Sequence, residues 1–66
     1  MELKEYDVFI LTKDLNSTIT KGMRGVILIV YDMHNFEVEF VDPQGYSYMH
    51  KGQSTFTIDE TYIQKP

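Results

Sequence analysis

The sequence predicts an all-β fold, a small five-stranded antiparallel barrel with one short helical turn near the C-terminus. Three observations predict it. Residues 26–31 (Val-Ile-Leu-Ile-Val-Tyr) are apolar throughout and rich in β-branched types, a run better suited to a buried strand than to a helix. Residues 36–40 alternate strictly, with Phe36, Val38 and Phe40 set against Glu37 and Glu39. Turn-forming residues punctuate the rest of the chain at short intervals. The stretch 21–40 therefore reads as the central hairpin around which the other strands assemble.

The chain has 66 residues, which predicts a single domain over 1–66. A domain of this size buries only about 60% of the surface its unfolded chain exposes, so a closed sheet is an economical solution. It has no cysteine, which excludes disulfides and thiolate metal sites. Apolar residues make up 42% and aromatic residues 14%, too rich for a disordered chain. Residues 1–7 carry Glu2, Glu5 and Asp7 where a signal peptide would be basic, and the longest apolar run is far too short to span a membrane. A cytoplasmic protein is expected.

Taken in order, 2–5 is a polar lead-in and 6–12 the first strand, with Val8 and Ile10 on one face and Phe9 and Leu11 on the other. Residues 13–21 form a polar loop in which Leu15 and Ile19 tuck inward. Gly22 and Gly25 make a tight turn or bulge before the second strand, 26–31. This Gly-x-x-Gly leads into a strand, whereas a phosphate loop leads into a helix, so a phosphate-binding reading is rejected. Residues 32–35 connect to the third strand, 36–41. Asp42-Pro43-Gln44-Gly45 matches a type I turn position by position. It predicts a fourth strand at 46–50, with Tyr46, Tyr48 and His50 on one face, then a turn at 51–53 and a fifth strand at 54–58. Asp59 is the expected N-cap of a helical turn at 59–61, Tyr62 and Ile63 pack back, and 64–66 is a tail. Five short strands, a long first loop, tight hairpins and a late helical turn together describe an SH3-like barrel.

The phrases Lys-Glu-Tyr-Asp-Val (4–8), Leu-Thr-Lys-Asp-Leu (11–15), Lys-Gly-Met-Arg-Gly-Val (21–26) and Glu-Val-Glu-Phe-Val-Asp-Pro-Gln-Gly (37–45) resemble a bacterial family of very small proteins known as a domain of unknown function. The resemblance covers 4–45 well and the C-terminal third loosely. It implies an SH3-like barrel, no catalytic residue, and a toxin partner, because members are often encoded beside candidate toxins, as antitoxins and immunity proteins are. The family usually has a smaller loop where this chain has 15–20.

No residue pattern points to catalysis or to a cofactor. His34 falls in a turn and His50 at a strand end, and neither has the convergent ligands of a metal or catalytic site. Glu37 and Glu39 share one face roughly 7 Å apart, a separation that suits paired carboxylates, but so small a barrel offers no cleft to hold a sugar. They are either a solvated face or an acidic patch that docks on a basic protein, extended by Asp32 and Asp42 at the two ends of the hairpin. Tyr46 and Tyr48 are the expected aromatic anchors beside them. The expected partner-binding set is thus Glu37, Glu39, Asp42, Tyr46, Tyr48 and Asp32, with no metal and no cofactor.

Ten acidic residues against six basic ones give a net charge of −4, which favours a basic protein partner over nucleic acid. The expected function is a non-enzymatic immunity or antitoxin protein that neutralises a toxin, with a nuclease as the fitting class, by stoichiometric binding. An RNA- or ribosome-associated barrel using Lys21 and Arg24 of the glycine motif at 21–26 is the alternative. A third possibility is a module that self-assembles, since the first two strands are apolar on both faces. The face expected to need cover carries Phe9, Leu11, Ile27 and Ile29, and the 13–21 loop, the C-terminal tail or another chain is expected to cover it.

Overall fold

The computed structural model describes residues 2–65. Its strands are β1 (Val8–Leu11), β2 (Arg24–Val30), β3 (Asn35–Val41), β4 (Phe56–Asp59) and β5 (Ile63–Gln64), with a single 3-10 turn, Glu60–Tyr62, between the last two. All pairings are antiparallel and the sheet order is β4-β3-β2-β1-β5. The five antiparallel strands and the lone helical turn are as the sequence predicts. Phe56 and Ile58 from one edge strand and Ile63 from the other lie in one core cluster. A flat five-stranded sheet would hold its edges about 19 Å apart, so this one curls into a half-barrel.

The core is the concave face. Phe9, Leu11, Ile27, Phe36, Val38 and Phe40 line it, joined by Leu3 and Ile19 from outside the strands. Phe40 is its hub, edge-on to Phe9 at 5.8 Å between ring centroids and tilted against Phe56 at 5.9 Å. Residues 13–21 plug the end of the core. Asn16 Oδ1 accepts from the amides of Thr18 and Ile19 at 2.9 and 2.8 Å, which turns Ile19 inward to full burial.

Several expectations fail, among them a turn or bulge at Gly25, which instead lies within β2 and pairs with Phe9. Residues 46–50 are not a regular strand. The type I turn forms, with the Gly45 amide donating to the Asp42 carbonyl at 2.9 Å, and Val41 pairs with Ser47. Positive φ at Lys51 and Gly52 then turns the chain away through the His50–Gln53 bridge. The partner that β3 takes is 56–59, because Phe56 and Ile58 place two side chains in the core opposite Val38 and Phe36, whereas the earlier segment offers only half-buried Tyr48. The fifth strand is Ile63–Gln64, part of which was expected as tail; Pro66 of that tail lies outside the described residues.

A further correction concerns the faces. Phe9, Leu11 and Ile27, expected on a face needing cover, are the interior. The outward residues are Val8 and Ile10 of β1 and Val26 of β2. Ile29 does face out, for a reason alternation misses. The β2–β3 register shifts between Ile27 and Ile29, so Leu28 is an extra residue and the following alternation inverts.

Candidate functional site

The outward face of β3 builds the site. Phe36, Val38 and Phe40 point into the core, and period-two alternation then obliges Glu37 and Glu39 to stand on the convex side. Register sets their neighbours. Glu39 lies opposite Val26, which pairs with Val8, and Glu37 lies between Ile29 and Thr57. Glu37 accepts hydrogen bonds from Thr57 Oγ1 at 2.6 Å and Tyr31 Oη at 3.3 Å, and Glu39 accepts from Ser47 Oγ at 3.2 Å. Neutral donors orient both carboxylates, and among the described residues no lysine or arginine pairs with either. Their charge is therefore fixed in place and uncompensated. Around them Val8, Ile29 and Tyr31 are 38%, 47% and 54% exposed. Partial desolvation, and after it the Glu37 carboxylate, hold the Tyr31 phenol above its ordinary value.

The other expected site residues separate. Asp32 and Asp42 lie beyond opposite ends of β3, roughly 20 Å of strand apart, and both are occupied by turns. Asp32 Oδ1 accepts from the amides of His34 and Asn35 at 2.7 and 2.9 Å; Asp42 Oδ1 accepts from those of Gln44 and Tyr46 at 2.9 and 3.0 Å. Tyr46 is exposed, while Tyr48 packs against the core, so the two do not present one aromatic surface. The aromatic side chain brought to the carboxylates is Tyr31. Its signals in the sequence were its place at the end of the apolar run and its being one of five tyrosines, a residue type that suits an interface. Ile29 was expected on an apolar face needing cover, but its place beside Glu37 was not legible, because nothing marks the bulge at Leu28.

His34 Nδ1 lies 3.0 Å from Glu60 Oε1, and His50 Nδ1 lies 2.9 Å from Thr18 Oγ1. Among the described residues no group of three or more His, Asp or Glu is placed to hold a metal ion. Among the described residues no helix is long and apolar enough to cross a membrane.

A family described as "Domain of unknown function (DUF4926)" matches residues 5–52. The chain belongs to this family. No curated protein and no solved structure matches the chain. The DUF4926 match spans β1 to β3 and contains Glu37, Glu39 and Tyr31; β4, the 3-10 turn and β5 lie beyond it.

Two carboxylates of this chain, Asp32 and Asp59, are expected to contribute to acid stability. Backbone donation from His34, followed by Asn35, holds Asp32 below its ordinary 3.8. The Thr61 hydroxyl, followed by the Thr61 amide, does the same for Asp59, the N-cap of the 3-10 turn. A lowered folded value means that the ionised form stabilises the fold above pH 3.8 and that this contribution is lost as pH falls through the folded values. The melting temperature followed by circular dichroism is expected to be level above about pH 5 and to fall below about pH 4. An Asp32→Asn, Asp59→Asn variant should show a shallower acid slope. An unchanged slope would assign the acid loss to other groups.

Proposed function

We propose that this DUF4926 domain is a non-enzymatic, cytoplasmic protein-binding module, an immunity or antitoxin protein that neutralises a basic toxin by stoichiometric binding. One observation carries the reading: Glu37 and Glu39 stand uncompensated on the convex sheet face, among the exposed apolar side chains of Val8, Ile29 and Tyr31. Apolar contact area with a rigid tyrosine suits the centre of a protein interface, and fixed negative charge steers a basic partner to it. Against a nuclease, the two carboxylates would take phosphate positions and Tyr31 the place of a stacked base. An SH3-like barrel and a gene beside a toxin's, both implied by the sequence resemblance, fit the same reading.

The test is co-expression with the product of the neighbouring reading frame, followed by affinity measurement. Recovery of one basic protein in equimolar complex is expected. Glu37→Lys and Glu39→Lys should each weaken that complex about tenfold, mostly through slower association. Undiminished affinity in the double variant would remove the β3 face as the interface.

A groove lined by Lys21, Gly22, Arg24, Pro43 and Tyr48 favours a second reading, RNA association through the glycine motif. Asp42 in the same groove and the net charge of −4 oppose it. Salt-dependent binding to bulk RNA is required by this second reading and not by the first.

A further inference from the structure

A different groove, of about 780 Å³, opens at the end of the sheet where β2 turns into β3. Its floor is apolar and firmly placed, made by Leu3 and Phe36, which are 7% and 2% exposed. Val30 and Met33 form an apolar wall that faces solvent, and Met33, at 79%, is the most exposed large apolar side chain among the described residues. The turn at 32–35 is built by Asp32 and Asn35, and nothing in that chemistry calls for methionine at its tip. A pliable thioether standing over an apolar floor is suited to contact with another chain.

The rim is acidic. Glu2, Asp32 and Glu60 line it with His34, and no lysine or arginine does. These groups do not form a metal site, since Asp32 is bound by backbone amides and Glu60 Oε1 faces His34. A cation with its own apolar stem is the chemistry that matches an apolar floor and a carboxylate rim. Among side chains, arginine fits best, because its guanidinium is weakly hydrated and its methylenes pack along apolar surface. The groove is also pre-organised: the Glu60 amide donates to the His34 carbonyl at 2.9 Å, tying the turn to the 3-10 turn across it.

We propose that this groove seats an arginine side chain, with an adjacent apolar residue, from an extended segment of a basic protein partner. The site is separate from the convex face of β3 and is tested without it.

The probe is the blocked peptide Gly-Leu-Arg-Gly, with Gln and Glu versions as controls, titrated into the isotope-labelled full chain and followed by NMR. Saturable shifts are expected at Leu3, Val30, Met33 and Phe36, with a dissociation constant near 1 mM or tighter. The Gln peptide should bind about tenfold more weakly and the Glu peptide not measurably. Met33→Ser and Glu60→Gln, both at solvent-accessible positions, should retain the dispersed spectrum of the fold and each weaken the Arg peptide about threefold. The proposal is overturned by the lack of saturable shifts, by equal response to the Arg and Gln peptides, or by shifts centred on Glu37 and Glu39. The last outcome would leave the β3 face as the acidic contact, whereas shifts confined to the groove would stand whether or not the β3 face binds a toxin.

Discussion

Phe40→Ala is expected to cost the fold about 3–5 kcal/mol at 25 °C, a large share of its stability. A domain of 66 residues has a total stability of about 3–10 kcal/mol. Truncating a fully buried phenylalanine costs about 3–5 kcal/mol, the lost transfer energy plus the cavity left behind. Phe40 is completely buried and its ring meets both Phe9 of β1 and Phe56 of β4. Its cavity would therefore open between the two wings of the curled sheet, where no neighbour can close it without uncurling the strands. Phe40→Leu keeps most of the volume and loses chiefly the edge-to-face contact, about 0.5–1.5 kcal/mol. Urea denaturation followed by circular dichroism separates the two. A cooperative transition for Phe40→Ala within about 1 kcal/mol of wild type would show that Phe40 is not the hub. The outcome bears on function, because the same inward anchors of β3 fix Glu37 and Glu39 outward.

The parts of this fold legible in the sequence are those written in local pattern. Strict alternation over 36–40 identifies β3, and the Asp-Pro-Gln-Gly turn forms as its residues dictate. Asp59 caps the 3-10 turn, accepting from the Thr61 amide at 2.8 Å. What was not legible depends on competition between distant segments. Residues 46–50 and 56–59 both alternate, and only the packing of Phe56 and Ile58 against Val38 and Phe36 decides which becomes the partner of β3. The inner face of β1 was ambiguous because both of its faces are apolar; the edge-to-face pairing of Phe9 with Phe40 selects one. Leu3 lies in a polar lead-in and gives no periodic signal, yet it is 7% exposed. The site followed the same rule. Glu37 and Glu39 were readable from β3 alone, whereas Tyr31 and Ile29 reach them through a bulge that no glycine or proline announces.

Gly25→Ala is expected to destabilise the fold by about 2–3 kcal/mol, against the intrinsic trend. On backbone grounds alone, alanine should stabilise a strand position by about 0.4–1 kcal/mol, since glycine has more freedom to lose. Packing reverses the sign. Gly25 sits opposite Phe9 in the β1–β2 register, and a Cβ there would lie against three carbons of the Phe9 ring, closer than carbon atoms approach. That ring is fully buried and held by Phe40, so relief requires moving the centre of the core. A Phe9→Leu background supplies the space. There Gly25→Ala should become neutral or mildly stabilising, giving a coupling energy of about 2–3 kcal/mol in the double-mutant cycle. Equal destabilisation in both backgrounds would place the cost of alanine in the backbone instead. If the coupling is found, this glycine is what lets β1 and β2 approach closely enough to set Val8, Val26 and Glu39 in one row on the outer face. The close contact inside the sheet and the candidate interface outside it would then depend on a single absent methyl group.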